Sequence, residues 1–351
     1  MTVLGSVRVR RAYYHCPHCH AGHCPRDTAL GLTTVDLSRG ATEAVALAGA
    51  LGSFAEAAEK VLPKLSGLHL SESTVERTTE RVGEEVGRRL GDGQTFGSKR
   101  PWRWSTDGTG KTVAYVSADA TGVGMQGHNG AAADGRMAAV GMVWNAGTPG
   151  QVRHACGLTG GLKALGGPLR NQAAQVGMDR AERWVAISDG GSGIEDWVRE
   201  NFPRAEAVVL DFFHVAEYLS DWAKVVHPET AGGVATEWCH RLKHEGGAVV
   251  LAALQRVDVS GRSAVVQETH RVLLVYFANQ VHRMDYPRYR ANGWLIGSGP
   301  VEAACKQVVG QRMKGCGMRW GEAGADAVCH LRALFRSEKG QWDAFFTPLT
   351  A

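Results

Sequence analysis

The sequence predicts a mixed α/β fold in which helical segments precede and follow an open sheet. Three observations carry this. The apolar runs Val113–Asp119, Met137–Trp144 and Gln151–Cys156 follow one another with the composition and length of strands. Helix and strand then alternate: a helical stretch around Asn171–Arg180, the strand Trp184–Ser188, a helix over about Ser192–Asn201, and the strand Ala207–Leu210. From His214 to Tyr289 the period changes again, and every segment carries the pattern of an amphipathic helix.

The remaining elements fall on either side. Residues 1–30 combine a strand-like stretch, Val3–Tyr14, with a knuckle containing Cys16, Cys19 and Cys24. Residues 38–90 are rich in Ala, Leu, Val and Glu, with hydroxyl helix starts at Ser38, Ser53 and Ser71 and turns at Gly52 and Gly67. They predict a small helical domain with the outline of a helix-turn-helix. Residues 91–100, GDGQTFGSKR, form the linker, and residues 101–345 form the sheet-bearing domain with a helical insertion over about 215–290. The last helices start near Pro300, after Gly297-Ser298-Gly299, and near Glu322.

Composition narrows the class. The chain has 351 residues, 44% of them hydrophobic and 21% charged, with a formal net charge of +4. That balance excludes a disordered chain. Its 45 glycines show no collagen period, and there is no uncharged apolar run of membrane-spanning length. Eight cysteines, five of them scattered singly, are too few for a disulfide scaffold and suit a reducing cytosol. The small positive excess by itself points only weakly to a polyanionic partner.

Three acids stand where chemistry is usually placed. Asp119 is expected to end a strand before Ala-Thr-Gly, and Asp189 to end another before Gly-Gly-Ser-Gly. Glu302 falls in the first turn of a helix. Loops at the carboxyl ends of strands expose such groups to substrate in α/β sheets. Three gathered carboxylates would repel one another unless divalent cations lay between them, and hard oxygen ligands suit Mg²⁺ or Mn²⁺. Two ions about 3.5–4 Å apart would activate a water or 3′-hydroxyl and stabilise the leaving oxygen of a phosphoryl displacement. Asp107, in TDGTGK, is the alternative first acid, but it precedes its strand and suits an Asp-Gly turn. Asp211, three residues before His214, competes with Asp189; the two also suit a hydrogen-bonded pair closing a helix turn.

The text around these acids resembles a known family. VAYVSADATGVGMQG, AISDGGSGIEDWVRENFPRAEAVVLDFFHVAEYL and GWLIGSGPVEAACKQVVGQRMKGCGMRW occur in that order. They are similar to the transposases of the bacterial ISKra lineage, within the Mutator-like group of DDE transposases, and the likeness runs from the knuckle to about Phe345. The resemblance implies a ribonuclease-H-like fold with a helical insertion before the last acid. It also implies Asp119, Asp189 and Glu302 as catalytic, metal-binding residues. Asp211-Phe212-Phe213-His214 matches the group's Cys-or-Asp, two residues, His signature, which gives Asp211 and His214 a supporting role. The implied function is metal-dependent cleavage and joining of double-stranded DNA at the ends of an insertion sequence, by an oligomer of the chain on those ends. A truncated or co-opted DNA-binding protein without catalysis, and a metal-dependent nuclease on the same fold, are the alternatives.

Cys16-Pro17-His18-Cys19 followed by Cys24 has the soft-ligand character of a zinc ribbon, with His15, His18, His20 or His23 to complete a set of four. The resembling transposases carry more chain before this point, including the other half of the ribbon. The resemblance therefore implies a shortened copy whose half-ribbon is either zinc-bound or zinc-free. DNA contacts are expected between Arg283 and Arg319. There Arg283, Arg288, Arg290, Lys306, Arg312, Lys314 and Arg319 face only two acids, with Tyr286, Tyr289, Trp294 and Trp320 interleaved. Arg312, Lys314, Arg319 and Trp320 are the leading candidates for phosphate and base contacts. Lys306, one turn beyond Glu302, is placed to hold the scissile phosphate or to screen that acid. A cytoplasmic, nucleoid-associated protein is the expected setting.

Overall fold

Alternating apolar residues close the predicted strands into one sheet with both faces covered. A computed structural model of the chain describes residues 1–347 other than 4, 6, 9, 31–36 and 129–130. A short hairpin pairs β1 (Tyr14–His15) with β2 (Gly22–His23). The main sheet contains β3 (Val113–Gln126), β4 (Ala132–Trp144), β5 (Val152–Gly157), β6 (Arg183–Ser188) and β7 (Ala205–Leu210). Their spatial order is β5-β4-β3-β6-β7. The first three are antiparallel, and β6 and β7 run parallel to β3 on its other side. This mixed arrangement is compatible with a ribonuclease-H-like fold.

Side-chain alternation sorts the two cores. Tyr115, Val185, Ile187, Ala207 and Val209 face one layer; Ala114, Val116, Ala186 and Val208 face the other. The second layer is covered by α6 and α7, introduced below, through Leu165, Leu169 and Trp197.

Helices account for the rest. Before the sheet come α1 (Pro25–Leu30), α2 (Arg39–Leu51), α3 (Phe54–Glu56), α4 (Leu62–Ser66) and α5 (Glu72–Gly91), with a π-helical turn, Ala57–Val61, joining α3 to α4. Ser38, Ser53 and Ser71 cap α2, α3 and α5 as the sequence predicts, each hydroxyl accepting a backbone N–H. Within the sheet region lie α6 (Gly161–Gln175) and α7 (Ile194–Asn201). After β7, where the sequence predicts helices, come α8 (Phe212–Val226), α9 (Ala231–Glu245), α10 (Gly247–Leu254), α11 (Ala264–Gln280) and α12 (Tyr286–Ala291). The chain finishes with α13 (Gly299–Ala304), a π-helical segment Cys305–Gly310, α14 (Gln311–Met313), α15 (Glu322–Arg336) and α16 (Gln341–Phe346). Among the described residues no helix is long and apolar enough to cross a membrane.

Three expectations change. The strand expected over Val3–Tyr14 does not form among the described residues, where Thr2 and Gly5 make a single bridge and the first strand starts at Tyr14. Helix α6 starts at Gly161, ten residues before the expected Asn171, and runs through Pro168. At Gly166 α7 comes close: a Cβ there would lie 2.2 Å from Asn201 Oδ1. Strand β3 does not stop at Asp119 but continues to Gln126, pairing Thr121 with Ala138 and Val123 with Arg136 of β4. Its far end is held by Trp320, whose N–H donates to the Gly124 carbonyl at 3.0 Å while Gln126 N–H donates to the Trp320 carbonyl at 2.9 Å.

The early helices are fastened to the end of the chain. Arg312 Nε donates to the Gly49 carbonyl at 2.8 Å, and Arg332 Nη1 to the Ala50 carbonyl at 2.6 Å. Both guanidiniums are buried, which lowers their pKa to about 10, and both satisfy carbonyls left open at the end of α2. Helix α5 lies against α2 and α15. The expected linker is also fixed. Phe96 is buried, and Gln175 Nε2 donates to the carbonyls of Phe96, Gly97 and Ser98 at 2.8, 3.2 and 3.1 Å.

A glycine pair tests the α5–α15 contact. A Cβ on Gly83 would lie 2.1 Å from the Ala327 carbonyl oxygen, whereas Gly91 has nothing within 4 Å. Gly83→Ala is expected to lower stability by about 1–3 kcal/mol through overpacking. Gly91→Ala should raise it by about 0.4–1 kcal/mol. Urea midpoints that move together for the two variants would contradict this packing.

Candidate active site

Strand register, more than strand ends, brings the acids together. β3 pairs with β6 so that Ser117 is opposite Ile187, and β6 pairs with β7 so that Ser188 is opposite Leu210. Counting on from these pairs sets Asp119, Asp189 and Asp211 at one level on neighbouring strands about 4.8 Å apart. The Asp211 N–H continues the ladder to the Ser188 carbonyl at 2.9 Å. Alternation turns all three side chains to the face of Tyr115, Ile187 and Val209, where α13 and the following π-helical segment lie against β3.

Asp119 is half-buried inside β3, opposite Val140, rather than at its end. Its Oδ1 accepts the Ala120 N–H at 2.6 Å, and Cys305 Sγ lies 3.5 Å from Oδ2. Burial pushes its pKa up, the Ala120 N–H opposes this, and the charge of Asp189 adds to the rise. Burial and the neighbouring Asp119 push the Cys305 thiol far above its ordinary value, so the thiol stays protonated and donates to the carboxylate.

Asp189 follows β6 in a glycine turn. Its Oδ1 accepts the Gly191 N–H at 3.0 Å. Behind it the buried Arg283 grips the strand end: Nη2 donates to Ser188 Oγ at 2.7 Å and the Asp189 carbonyl at 3.1 Å, and Nε to the Val208 carbonyl at 3.3 Å. Tyr276 of α11 reaches the same turn, with its hydroxyl 3.2 Å from where a Gly190 Cβ would be. Its ring stacks on Tyr218, centroids 4.1 Å apart.

Asp211 is 2% exposed and caps α8, accepting the Phe213 N–H at 2.8 Å. Its Oδ2 is 2.5 Å from Ser298 Oγ, and the same hydroxyl is 2.7 Å from Glu302 Oε1. Glu302 itself is exposed in the first turn of α13. His214 does not pair with Asp211; its Nδ1 is 3.9 Å from Glu217 and its ring meets Tyr218. Asp107 is the turn residue expected of it. Its Oδ1 accepts from Thr109 and Lys111, and its Oδ2 accepts Trp294 Nε1–H at 3.1 Å.

The basic stretch divides. Lys314 is exposed and donates to Thr121 Oγ1, two residues from Asp119; Arg319 and Lys306 are exposed as well. Arg312 and Trp320 are not available as DNA contacts. Arg312 is 3% exposed, its guanidinium lying 4.6 Å from the Phe54 ring centroid and 4.7 Å from that of Trp320, and Trp320 Nε1 donates to the Met313 carbonyl. Arg283, Tyr286, Tyr289 and Trp294 are buried too. Their spacing resembled a surface patch because the helices that cover them lie elsewhere in the chain.

Among the described residues no three His, Cys, Asp or Glu side chains converge as a metal-holding group. Asp119, Asp189 and Glu302 are thus not gathered into one cluster. The Asp119–Asp189 pair still suits a hard cation. It offers oxygen donors, the two charges repel, and Mg²⁺ is commonly held by one or two carboxylates with substrate phosphate completing its shell. In the knuckle, N–H groups of Cys19 and His18 point at Cys16 and, with the Cys19 side chain, lower its thiol pKa. That suits a thiolate ligand pair, Cys16 and Cys19, which Cys24 does not join.

Ser298 and Cys305 are the site residues that sequence reasoning passed over. Ser298 had a usable signal, since it lies four residues before Glu302 and so one helical turn away. Cys305 had only proximity to that acid. No protein-family model matches the chain, and no curated protein matches it in sequence.

Because burial and Asp189 disfavour the ionised form of Asp119, a neutral isostere should relieve the fold. Asp119→Asn is expected to stabilise the protein by about 0.5–2 kcal/mol at neutral pH. The folded pKa is raised, so the gain should vanish below the ordinary Asp value near about 3.9 and be complete above the raised one. Thermal unfolding across that range checks it; a gain independent of pH would reject the electrostatic origin.

Proposed function

We propose that the chain is a DDE transposase, with a ribonuclease-H-like catalytic domain interrupted by the helical insertion α8–α12. The observation that carries this reading is the register that levels Asp119, Asp189 and Asp211 on one face of β3, β6 and β7. Asp119 and Asp189 would hold Mg²⁺ or Mn²⁺, which activates the attacking water or 3′-hydroxyl and stabilises the leaving oxygen when bound. The surrounding residues orient these acids. The Ala120 N–H and the Cys305 thiol aim the Asp119 carboxylate. Arg283 fixes the backbone that carries Asp189, and Asp211 with Ser298 orients Glu302. Lys314, next to Thr121, is placed to hold a phosphate beside Asp119, and Arg319 and Lys306 extend that charge. The substrates are double-stranded element ends and target DNA, bound by an oligomer of the chain in the nucleoid. The Cys16–Cys19 pair is a zinc half-site in this reading.

The test is incubation of the full chain with labelled candidate ends and Mg²⁺. Joined products are expected; nicks alone would indicate a nuclease, and binding alone a non-catalytic DNA-binding protein. Asp119→Ala, Asp189→Ala and Glu302→Ala should each abolish cleavage and leave DNA affinity within about threefold, as expected of residues that act on the reaction rather than on binding. Lys314→Ala should weaken binding and reduce its salt slope by about one. Full cleavage by any of the acid variants would remove that acid from the mechanism.

A further inference from the structure

The helices after β7 carry a group of cations apart from Lys314. Near the end of α9, His240 and His244 lie one turn apart with their rings stacked, centroids 4.3 Å apart. Arg290 of α12 meets them, its Nη1 3.2 Å from His244 Nδ1. A guanidinium only donates, so that ring nitrogen accepts and His244 is neutral. Lys243 completes the group. Its Nζ stands 5.8 Å from the ring centroid of Phe212, the residue after Asp211, so the strip reaches the acid-bearing end of the sheet. His240, His244 and Arg290 are exposed, and Lys243 is half-buried. The carboxylates nearby are engaged elsewhere: Glu245 lies 3.4 Å from Arg241, and Asp285 3.0 Å from Arg288. Among the described residues no carboxylate forms an ion pair with any of the four cations. Glu237 shares the His244 face of α9 but lies two turns away, α10 carries no charge, and α8 meets Lys243 through Phe212. The group therefore repels itself. Desolvation lowers the His244 pKa, and Arg290, His240 and Lys243 lower it further.

We infer that His240, Lys243, His244 and Arg290 form a docking strip for the phosphate backbone of double-stranded DNA, and that His244 gains a proton when a phosphate binds there. An anion set among these groups turns their mutual repulsion into attraction. Lys243 and Arg290 supply charge-assisted hydrogen bonds to phosphate oxygens. Once Arg290 donates to phosphate, His244 Nδ1 loses its present donor and can be protonated, which adds a further positive charge to the contact. Such a strip reads charge and position, not base sequence. The inference rests on the reading of the chain as a DNA-binding protein and adds the α9–α12 face to its DNA-binding surface.

The experiment is fluorescence anisotropy of the full chain on a labelled duplex of arbitrary sequence, without divalent metal, across salt and pH. Lys243→Gln and Arg290→Gln should each weaken binding and reduce the salt slope by about one, and Lys243→Arg should keep the wild-type slope. Because the free His244 has a lowered pKa and the bound one gains a proton, affinity should rise as the pH falls. Between about pH 8 and pH 6 the wild type should tighten by about fivefold, as for an imidazole whose pKa rises by about one on binding. His244→Gln, uncharged throughout, should lose most of that rise. Circular dichroism checks folding; should Lys243→Gln, the half-buried member, not fold, Arg290→Gln carries the test. Salt slopes left unchanged by the strip variants, or a pH response that His244→Gln leaves intact, overturn the inference. If the wild type binds no duplex, the DNA-binding reading fails and takes the inference with it. If the wild type binds and Lys314→Ala weakens it while the strip variants do not, only the inference fails.

Discussion

Everything at the candidate site depends on the register of β6 between its two neighbours. The pairings Ser117–Ile187 and Ser188–Leu210 put three aspartates on one level, and strand alternation puts them on one face. A slip of one residue in β6 would send Asp189 to the opposite layer, among the α6 and α7 contacts, and would bury a carboxylate in an apolar core. That penalty defends the register, as do Val185 and Ile187, which would exchange layers with Ala186. Packing and chemistry therefore select the same alignment.

Buried guanidiniums hold the parts that the sheet alone does not organise. Arg283 closes the ends of β6 and β7, and Arg312 and Arg332 close the end of α2. In each case a cation from a late segment satisfies carbonyls of an earlier one. Burial disfavours the charged form of all three and lowers their pKa, although the nearby Glu195 carboxylate partly offsets this for Arg283. The small net charge of the chain thus conceals two populations of arginine, one internal and one facing solvent.

Much of this was legible in the sequence. The presence of the strands, though not their order in the sheet, and the run of helices over 214–289 followed from apolar period, and three serine caps marked their helices. Asp107 was recognisable as a turn residue from TDGTGK. The misreadings share a cause. Glycines after Asp119 resemble loop punctuation, yet Gly124 marks a place where another segment comes close, the Met318 carbonyl. Likewise Arg312 and Trp320 have surface-like spacing, and only tertiary contacts with Phe54 and Gly49 turn them inward. The Asp211–Ser298–Glu302 arrangement joins residues 87 positions apart, beyond the reach of any local pattern.

The tie between β3 and Trp320 has a consequence for how the molecule is made. The Gly124–Gln126 end of that strand, and the end of α2 nearly three hundred residues before Arg332, gain these partners only when the last segments exist. On the ribosome the sheet can gather its strands early, but the far end of β3 lacks its Trp320 partner until the final stretch emerges. Such long-range closure favours slow, late folding. An interrupted synthesis would then yield chains that hold the aspartates but lack the Trp320 and Arg332 contacts.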